Sequence, residues 1–285
     1  MYKIGKFIFE INVDGVPISN HIKKFKVTNG TPNYTYDIRV VDELEVADTS
    51  FVAQKKNIKV VMNGRYEKRY LLLDYDVTPY AVYEEIDDQH ACVRVNRRYL
   101  EHFDPEVEPM FISLLALERH LYVYDSYILH SAYMIKDDKA ILFTAPSGVG
   151  KSTQADLWVK YRGARVINGD RSLLQNQDDR VSVCGFPVCG SSGICFNEDY
   201  PIAAIVILSQ GKENVVRKPS KNEVIKKLFR EITINYHNMP FFDDAMTFIE
   251  ELYDKVPIYS LQCDISEGAV NCLEKQLLED DVWNQ

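Results

Sequence analysis

The sequence predicts an α/β fold in two unequal parts: a β-rich accessory domain over residues 1–105, then a mixed-sheet domain with helices over 106–285. Three observations predict it. The first hundred residues alternate apolar and polar side chains with the period of strands. From about residue 109, helical spacing interleaves with short apolar runs. One strand-to-helix junction, at 145–152, carries a glycine-rich loop ending in Lys-Ser.

A chain of 285 residues has room for about two domains. Hydrophobic residues at 46% and charged residues at 26% match folded globular proteins and exclude a disordered or fibrous chain. The longest apolar runs, Ile202–Leu208 and the core of Phe111–Leu117, fall well short of the ~20 residues that span a bilayer. The N-terminal segment meets Glu10 before a signal-peptide core can form, so a cytoplasmic location and no membrane partner are expected. A net charge of −9 lacks the positive field that draws phosphate backbones, so no nucleic-acid partner is expected. The six cysteines contain no Cys-x-x-Cys pair. In a reducing cytosol they read as small buried hydrophobes. Zinc sites favour tighter spacing than Cys184, Cys189 and Cys195 offer.

Along the first part, Phe7, Phe9, Ile11 and Val13 mark one face of a strand, and Asp14-Gly15 follows as a turn. Ile58, Val60 and Met62 share a face, and Asn63-Gly64 turns the chain back, so residues 57–76 read as a hairpin. Residues 90–97 read as a further strand.

The pattern changes after Asp104-Pro105. Pro109 suits a first helical turn, and Met110, Leu114, Leu117 and Leu121 recur at helical spacing, predicting one amphipathic helix. Residues 128–136 read as a strand, Asp137-Asp138 as a turn, and Ala140–Thr144 as a second strand. Further strands are expected over Arg165–Ile167, Val181–Cys184, Ile202–Leu208 and 256–263. Ser220 and Glu223 form a capping box for a helix carrying Val224, Ile225, Leu228 and Ile232. Another helix carries Ala245, Phe248, Ile249 and Leu252, with Asp243-Asp244 read as its N-cap. A last helix covers about 266–279.

The segment Ala145-Pro-Ser-Gly-Val-Gly-Lys-Ser152, followed by Thr153, fits the Walker A pattern except that Ala145 replaces the first glycine. Gly148 and Gly150 allow a curled backbone whose N–H groups point at phosphate oxygens. Lys151 supplies a mobile charge for the β- and γ-phosphates, and the Ser152 hydroxyl suits Mg²⁺. A helix starting near Lys151 adds its positive end, with Ala155, Trp158 and Val159 on its apolar face. Ser147, Gly148, Val149, Gly150, Lys151, Ser152 and Thr153 are therefore the candidate nucleotide-binding residues, with ATP and Mg²⁺ the expected cofactors.

Asp170 ends a short strand just after that helix. A carboxylate there either caps a turn or holds Mg²⁺ and accepts a proton from an attacking hydroxyl. His130 lies on the strand before the loop, where a lone histidine taken by itself reads as a satisfied core residue. Arg217, Lys212 and Lys218 read as a solvated basic loop, or as a charge for a transferring phosphoryl group.

Three segments together carry a family resemblance: LHSAYMIKDDKAILFTAPSGVGKST, ARVINGD and GFPVCGSSGICFNEDYPIAAIVIL. Over about 108–285 the chain resembles the C-terminal domain of HPr kinase/phosphorylase. More closely it resembles the bacterial HPr-kinase-like, phosphoenolpyruvate-carboxykinase-like proteins encoded near peptide-modification clusters. The resemblance implies a P-loop domain with a mixed sheet and a histidine on the hairpin leading into the loop. It implies His130 as the active-site histidine, Lys151 as the catalytic lysine, Asp170 as catalytic base, and Ser152 with Asp170 as metal ligands. Gly148, Gly150, Lys151 and Ser152 match its phosphate loop.

Two positions depart from the family. Thr153 stands where HPr kinase has an acidic residue, and Gly169-Asp170 stands where the family has paired aspartates. No HPr-docking or phosphorylase signature is present. Residues 189–193 resemble a substrate-side loop. The implied activity is an ATP-dependent kinase acting on a hydroxyl, a Ser of a peptide or protein or a small alcohol, with a homo-oligomer allowed. Two alternatives stay open: a nucleotide-binding regulator or scaffold without catalysis, and a carboxykinase acting on a small metabolite.

Overall fold

The computed structural model describes residues 1–46, 50–55, 57–73, 78–102, 108–177 and 180–283. Its contacts divide the chain into two compact units, Met1–His120 and Leu121–Gln285. Asp104-Pro105, where the sequence suggests a boundary, and Asp74–Asp76 of the expected hairpin lie outside the described residues.

The first unit is built on eight strands: β1 (Tyr2–Ile4), β2 (Phe7–Asp14), β3 (Tyr34–Val41), β4 (Ala53–Lys55), β5 (Ile58–Asn63), β6 (Tyr66–Leu71), β7 (Ala81–Asp87) and β8 (His90–Asn96). They form one mixed sheet in the order β1-β2-β3-β8-β7-β6-β5-β4. β2, β3 and β8 run parallel, and the remaining pairs are antiparallel. The alternation read from β2 is real: Phe7, Phe9 and Ile11 are buried between more exposed neighbours. Helix α1 (Asn20–Lys23) is capped by Ser19, whose hydroxyl accepts the His21 N–H.

The single helix expected from Met110 to Leu121 is instead two short ones, α2 (Glu108–Ser113) and α3 (Leu117–Leu121). Ala116 between them takes a left-handed φ of 46°. Two causes are visible. Tyr36 donates its hydroxyl to the Leu115 carbonyl at 2.8 Å, so that oxygen has an acceptor role outside any helix. Phe111, Leu114, Leu115, Leu117 and Leu121 are also all buried, which one straight stripe could not achieve.

Beside this bend lies a buried charged network. Arg69 pairs with Glu67 at 2.7 Å and with Glu118 at 2.6 Å, while Arg119 pairs with Glu67 at 3.0 Å and with Glu85. His120 packs its ring against Tyr34, 4.2 Å away, and against Phe7. Burial, reinforced by Arg119 and Arg69, pushes the His120 pKa down to about 3.

The second unit contains β9 (Ser126–Lys136), β10 (Lys139–Thr144), β11 (Arg165–Asn168), β12 (Arg171–Gln177), β13 (Arg180–Cys184), β14 (Tyr200–Gln210), β15 (Val215–Arg217) and β16 (Ile258–Cys263). Its helices are α4 (Lys151–Arg162), α5 (Lys221–Glu231), α6 (Met239–Lys255) and α7 (Glu267–Glu279). The strands run β10-β9-β12-β13-β14-β16-β15, with β11 on β9 and β10 also pairing β14 in parallel.

The long strand β9 serves two neighbourhoods. Its first half, to His130, pairs β12, and its second half, from Ser131, pairs β10 and β11. Asp137 and Asp138, with φ of 51° and 58°, close the β9–β10 hairpin in the left-handed turn that suits strand twist. Side chains of β10 alternate between two cores. Ala140 and Leu142 face a core with Val224, Leu228, Phe241 and Phe248 of α5 and α6. Ile141 and Phe143 face one with Ala155, Trp158 and Leu273 of α4 and α7. A strand covered on both sides reads as a continuous apolar run, which is how it appears in the sequence.

Several expectations are corrected. β12 is absent from the sequence reading. Val159 is 41% exposed; Ala155, Leu157 and Trp158 form the buried face of α4 instead. Asp243-Asp244 lie inside α6, whose cap is Asn238, accepting the Phe241 N–H at 3.2 Å. Ser220 does cap α5, but the Glu223 carboxylate pairs with Arg217 and Lys227 rather than closing the box. Among the described residues, no helix is long and apolar enough to cross a membrane.

Candidate functional site

The site gathers where β10 ends and α4 begins. Gly148 and Gly150 take φ of 80° and 117°, conformations that side chains resist, and Gly150 is the N-cap of α4. Ala145 is not among the residues with positive φ, so the position does not require glycine. Ser147 and Gly148 are exposed, Val149 is half-buried, and Gln210 donates its side-chain amide to the Gly148 and Val149 carbonyls at 3.4 and 3.3 Å.

Lys151 opens α4 and is largely buried, its Nζ donating to the Ala145 carbonyl at 2.9 Å. Burial pushes its pKa below the usual lysine value, opposed by the charges of Glu231 and then Asp170. Ser152 is exposed and donates its hydroxyl to the Gly169 carbonyl at 3.3 Å, which ties the start of α4 to the segment bearing Asp170. Thr153 is half-buried on the next position.

Asp170 is placed by main-chain and side-chain bonds. Buried Asn168 accepts the N–H groups of Asp170 and Arg171, both at 2.9 Å, and so turns the chain out of β11. The Ser131 N–H donates to the Asp170 carbonyl at 3.0 Å. Thr144 donates its hydroxyl to the His130 carbonyl at 3.0 Å, linking the last residue of β10 to β9.

On this frame the side chains of His130 and Asp170 meet, Nε2 to Oδ1 at 3.5 Å. Arg171 Nε lies 3.4 Å from the other carboxylate oxygen. His130 first, then Arg171 and Lys151, hold the Asp170 carboxyl below its usual range against the opposing effect of burial. The structure thus brings Lys151, Ser152, His130 and Asp170 to one place.

The segment 189–193 lies against Asp170. A Cβ built on Gly190 would sit 3.0 Å from the Asp170 Cβ. A Cβ on Gly169 would overlap the Ser192 hydroxyl and come within 2.7 Å of the Ser192 Cβ. Ser192 is fixed there, donating to the Cys189 carbonyl at 2.7 Å and accepting the Ile194 N–H at 3.2 Å. Two of the three basic residues after β14 are engaged elsewhere, Arg217 with Glu223 and Lys218 with Asp280 at 2.9 Å, while Lys212 is exposed.

Two site residues carry no signal in the sequence. Arg171 stands beside Asp170 in the sequence and belongs to no motif. Glu231 accepts from His130 Nδ1 at 2.8 Å across a separation of 101 residues, and no spacing rule reaches that far.

No protein-family model matches the chain, and no curated protein matches it. Among solved structures, the chain has a distant likeness to the Hpr(Ser) kinase/phosphatase from Coxiella burnetii. That alignment covers 54% of this chain and 98% of the other, at 10% identity and a TM-score of 0.31.

Proposed function

We propose that the second unit is an ATP-dependent phosphotransferase that passes the γ-phosphoryl group to a hydroxyl, a Ser of a peptide or protein. The observation that carries this reading is the meeting of the Lys151 loop with Asp170 and His130 in one site. A lysine at the start of a helix, after a loop with two left-handed glycines, offers charge and N–H groups to phosphates.

In this reading Lys151 and the amides of 147–153 bind the triphosphate. Asp170, held ionised, accepts the proton of the acceptor hydroxyl as its oxygen bonds to the γ-phosphorus. The bond from that phosphorus to the bridging oxygen breaks, and ADP leaves with the electron pair. Arg171 offers a further positive charge beside the transferring group.

Mg²⁺ fits the donor set: the Ser152 hydroxyl and the Asp170 carboxylate are hard oxygen ligands, and the Ser152 hydroxyl already faces the Gly169 carbonyl next to Asp170. When bound, it would neutralise phosphate charge. The β-rich first unit is proposed as an accessory domain, and the setting as cytoplasmic, where ATP is supplied.

A second reading is a nucleotide-binding regulator without chemistry. The closed space at Gly169, where a second carboxylate has no room, favours it.

The test is transfer of labelled γ-phosphate from ATP to a panel of Ser-containing peptides by the full chain, alongside Asp170→Asn. Transfer by the wild type is expected. Its loss in the variant by roughly 100-fold or more is also expected, with binding of a fluorescent ATP analogue retained. Equal transfer by the variant would remove Asp170 as base. Nucleotide binding with no transfer to any acceptor would favour the second reading.

A further inference from the structure

Glu231 stands in a place that helix physics alone disfavours. It is the last residue of α5, where a carboxylate opposes the helix macrodipole and a cation would be preferred. It is also little exposed, its side chain 10% accessible. A charge kept in such a position calls for a partner, and the partner is the His130 ring, with Nδ1 2.8 Å from the Glu231 carboxylate.

The contact is not left to two flexible side chains. Ile232, the next residue, forms an isolated bridge with Leu129, the residue before His130. The Thr233 N–H donates to the Ile128 carbonyl at 2.9 Å. Main-chain bonds therefore hold the end of α5 against β9 one residue along from the histidine.

Both imidazole nitrogens bond in the plane of the ring, so a bond held at one nitrogen sets the direction in which the other points. A carboxylate can only accept, so the Glu231 contact is made by Nδ1–H and steers the ring from that side. Asp170 meets the other nitrogen.

The geometry points to Glu231 as the positioning residue of this site: it fixes the orientation of the His130 ring, so that Nε2 faces Asp170. Its consequence for phosphoryl transfer rests on the reading proposed above; the positioning itself does not. In this role Glu231 acts through His130, apart from the charge by which it opposes the effect of burial on Lys151.

The experiment uses the full chain with ¹⁵N-labelled histidine. His130 signals are assigned by their loss in His130→Gln. In the wild type, Nδ1 is expected to carry a proton, held by the Glu231 carboxylate. In Glu231→Leu, similar in size and unable to accept, that pattern is expected to be lost, and Glu231→Asp is expected to keep part of it.

In parallel, phosphate release from ATP with Mg²⁺ is followed, with water as the acceptor. Glu231→Leu is expected to lower kcat roughly 10- to 100-fold while the KM for ATP stays within about twofold, as for loss of an outer hydrogen-bond partner. Glu231→Asp is expected to recover part of that loss. A folded Glu231→Leu chain that keeps the Nδ1 pattern overturns the inference, and so does one that loses the pattern yet keeps the wild-type kcat. If the wild type passes phosphate neither to water nor to the Ser-containing peptides, the proposed function fails, and the nitrogen spectra alone decide the positioning.

Discussion

Ser192 fills the space that a side chain at Gly169 would need. Its Cβ would stand 2.7 Å from one built on Gly169, and two hydrogen bonds hold it in place. The glycine before Asp170 is therefore tied to the conformation of the loop 189–193, and the two positions are coupled.

Coupling of that kind is measurable. Gly169→Asp is expected to destabilise the second unit by about 1–3 kcal/mol, the usual cost of overpacking. Combined with Ser192→Gly, which clears the space, the cost should shrink well below the sum of the two single changes. Urea unfolding of the four species gives the cycle. Additive values would show that the loop moves aside freely.

Lys151 sets a limit on the alkaline side. Its pKa is lowered from 10.5, chiefly by burial. Only the protonated amine attracts phosphate, so binding of an ATP analogue should fall as pH rises through that lowered value, before ordinary lysines titrate. Lys151→Arg, which stays charged throughout, should bind without this decline. Titrating analogue fluorescence from pH 7 to 10.5 tests both; a decline of the same shape in the arginine variant would assign it to another group.

Acid should unfold the first unit partly through His120. Burial pushes the folded histidine down to about 3 from its ordinary 6.5, so the unfolded chain takes up a proton that the folded one refuses. Its contribution is complete above pH 6.5 and is lost as pH falls from there toward 3. At about 1.4 kcal/mol per unit, the full loss is at most roughly 5 kcal/mol. His120→Phe keeps the ring among Phe7 and Tyr34 and should lose less stability between pH 7 and 4.5. Urea midpoints that fall in parallel for both chains would discount the histidine.

The parts of the site that the sequence displays are those set by local spacing. Gly148, Gly150, Lys151 and Ser152 stand in one short run, and His130 and Asp170 lie on the segments that flank it. Glu231 was hidden because it arrives through tertiary packing of α5 on β9. β12 was hidden because its buried Gln175 breaks the apolar pattern; a hydrogen bond to Ser126 Oγ at 2.8 Å makes that burial tolerable. The break at Ala116 depends on a hydroxyl 79 residues earlier than the carbonyl it meets, and helical spacing carries no trace of it.

The strand β9 holds His130 at the residue where it passes from one set of neighbours to the next. Thr144 is bonded to the His130 carbonyl, and the Ser131 N–H to the Asp170 carbonyl. The backbone around the site is thus held by bonds that use neither the His130 imidazole nor the Asp170 carboxylate. Exchanging the imidazole or the carboxylate for an inert group of similar size should leave the remaining groups standing where they were. The molecule is in this sense built like a bench with interchangeable tools: what such an exchange removes is chemistry rather than alignment.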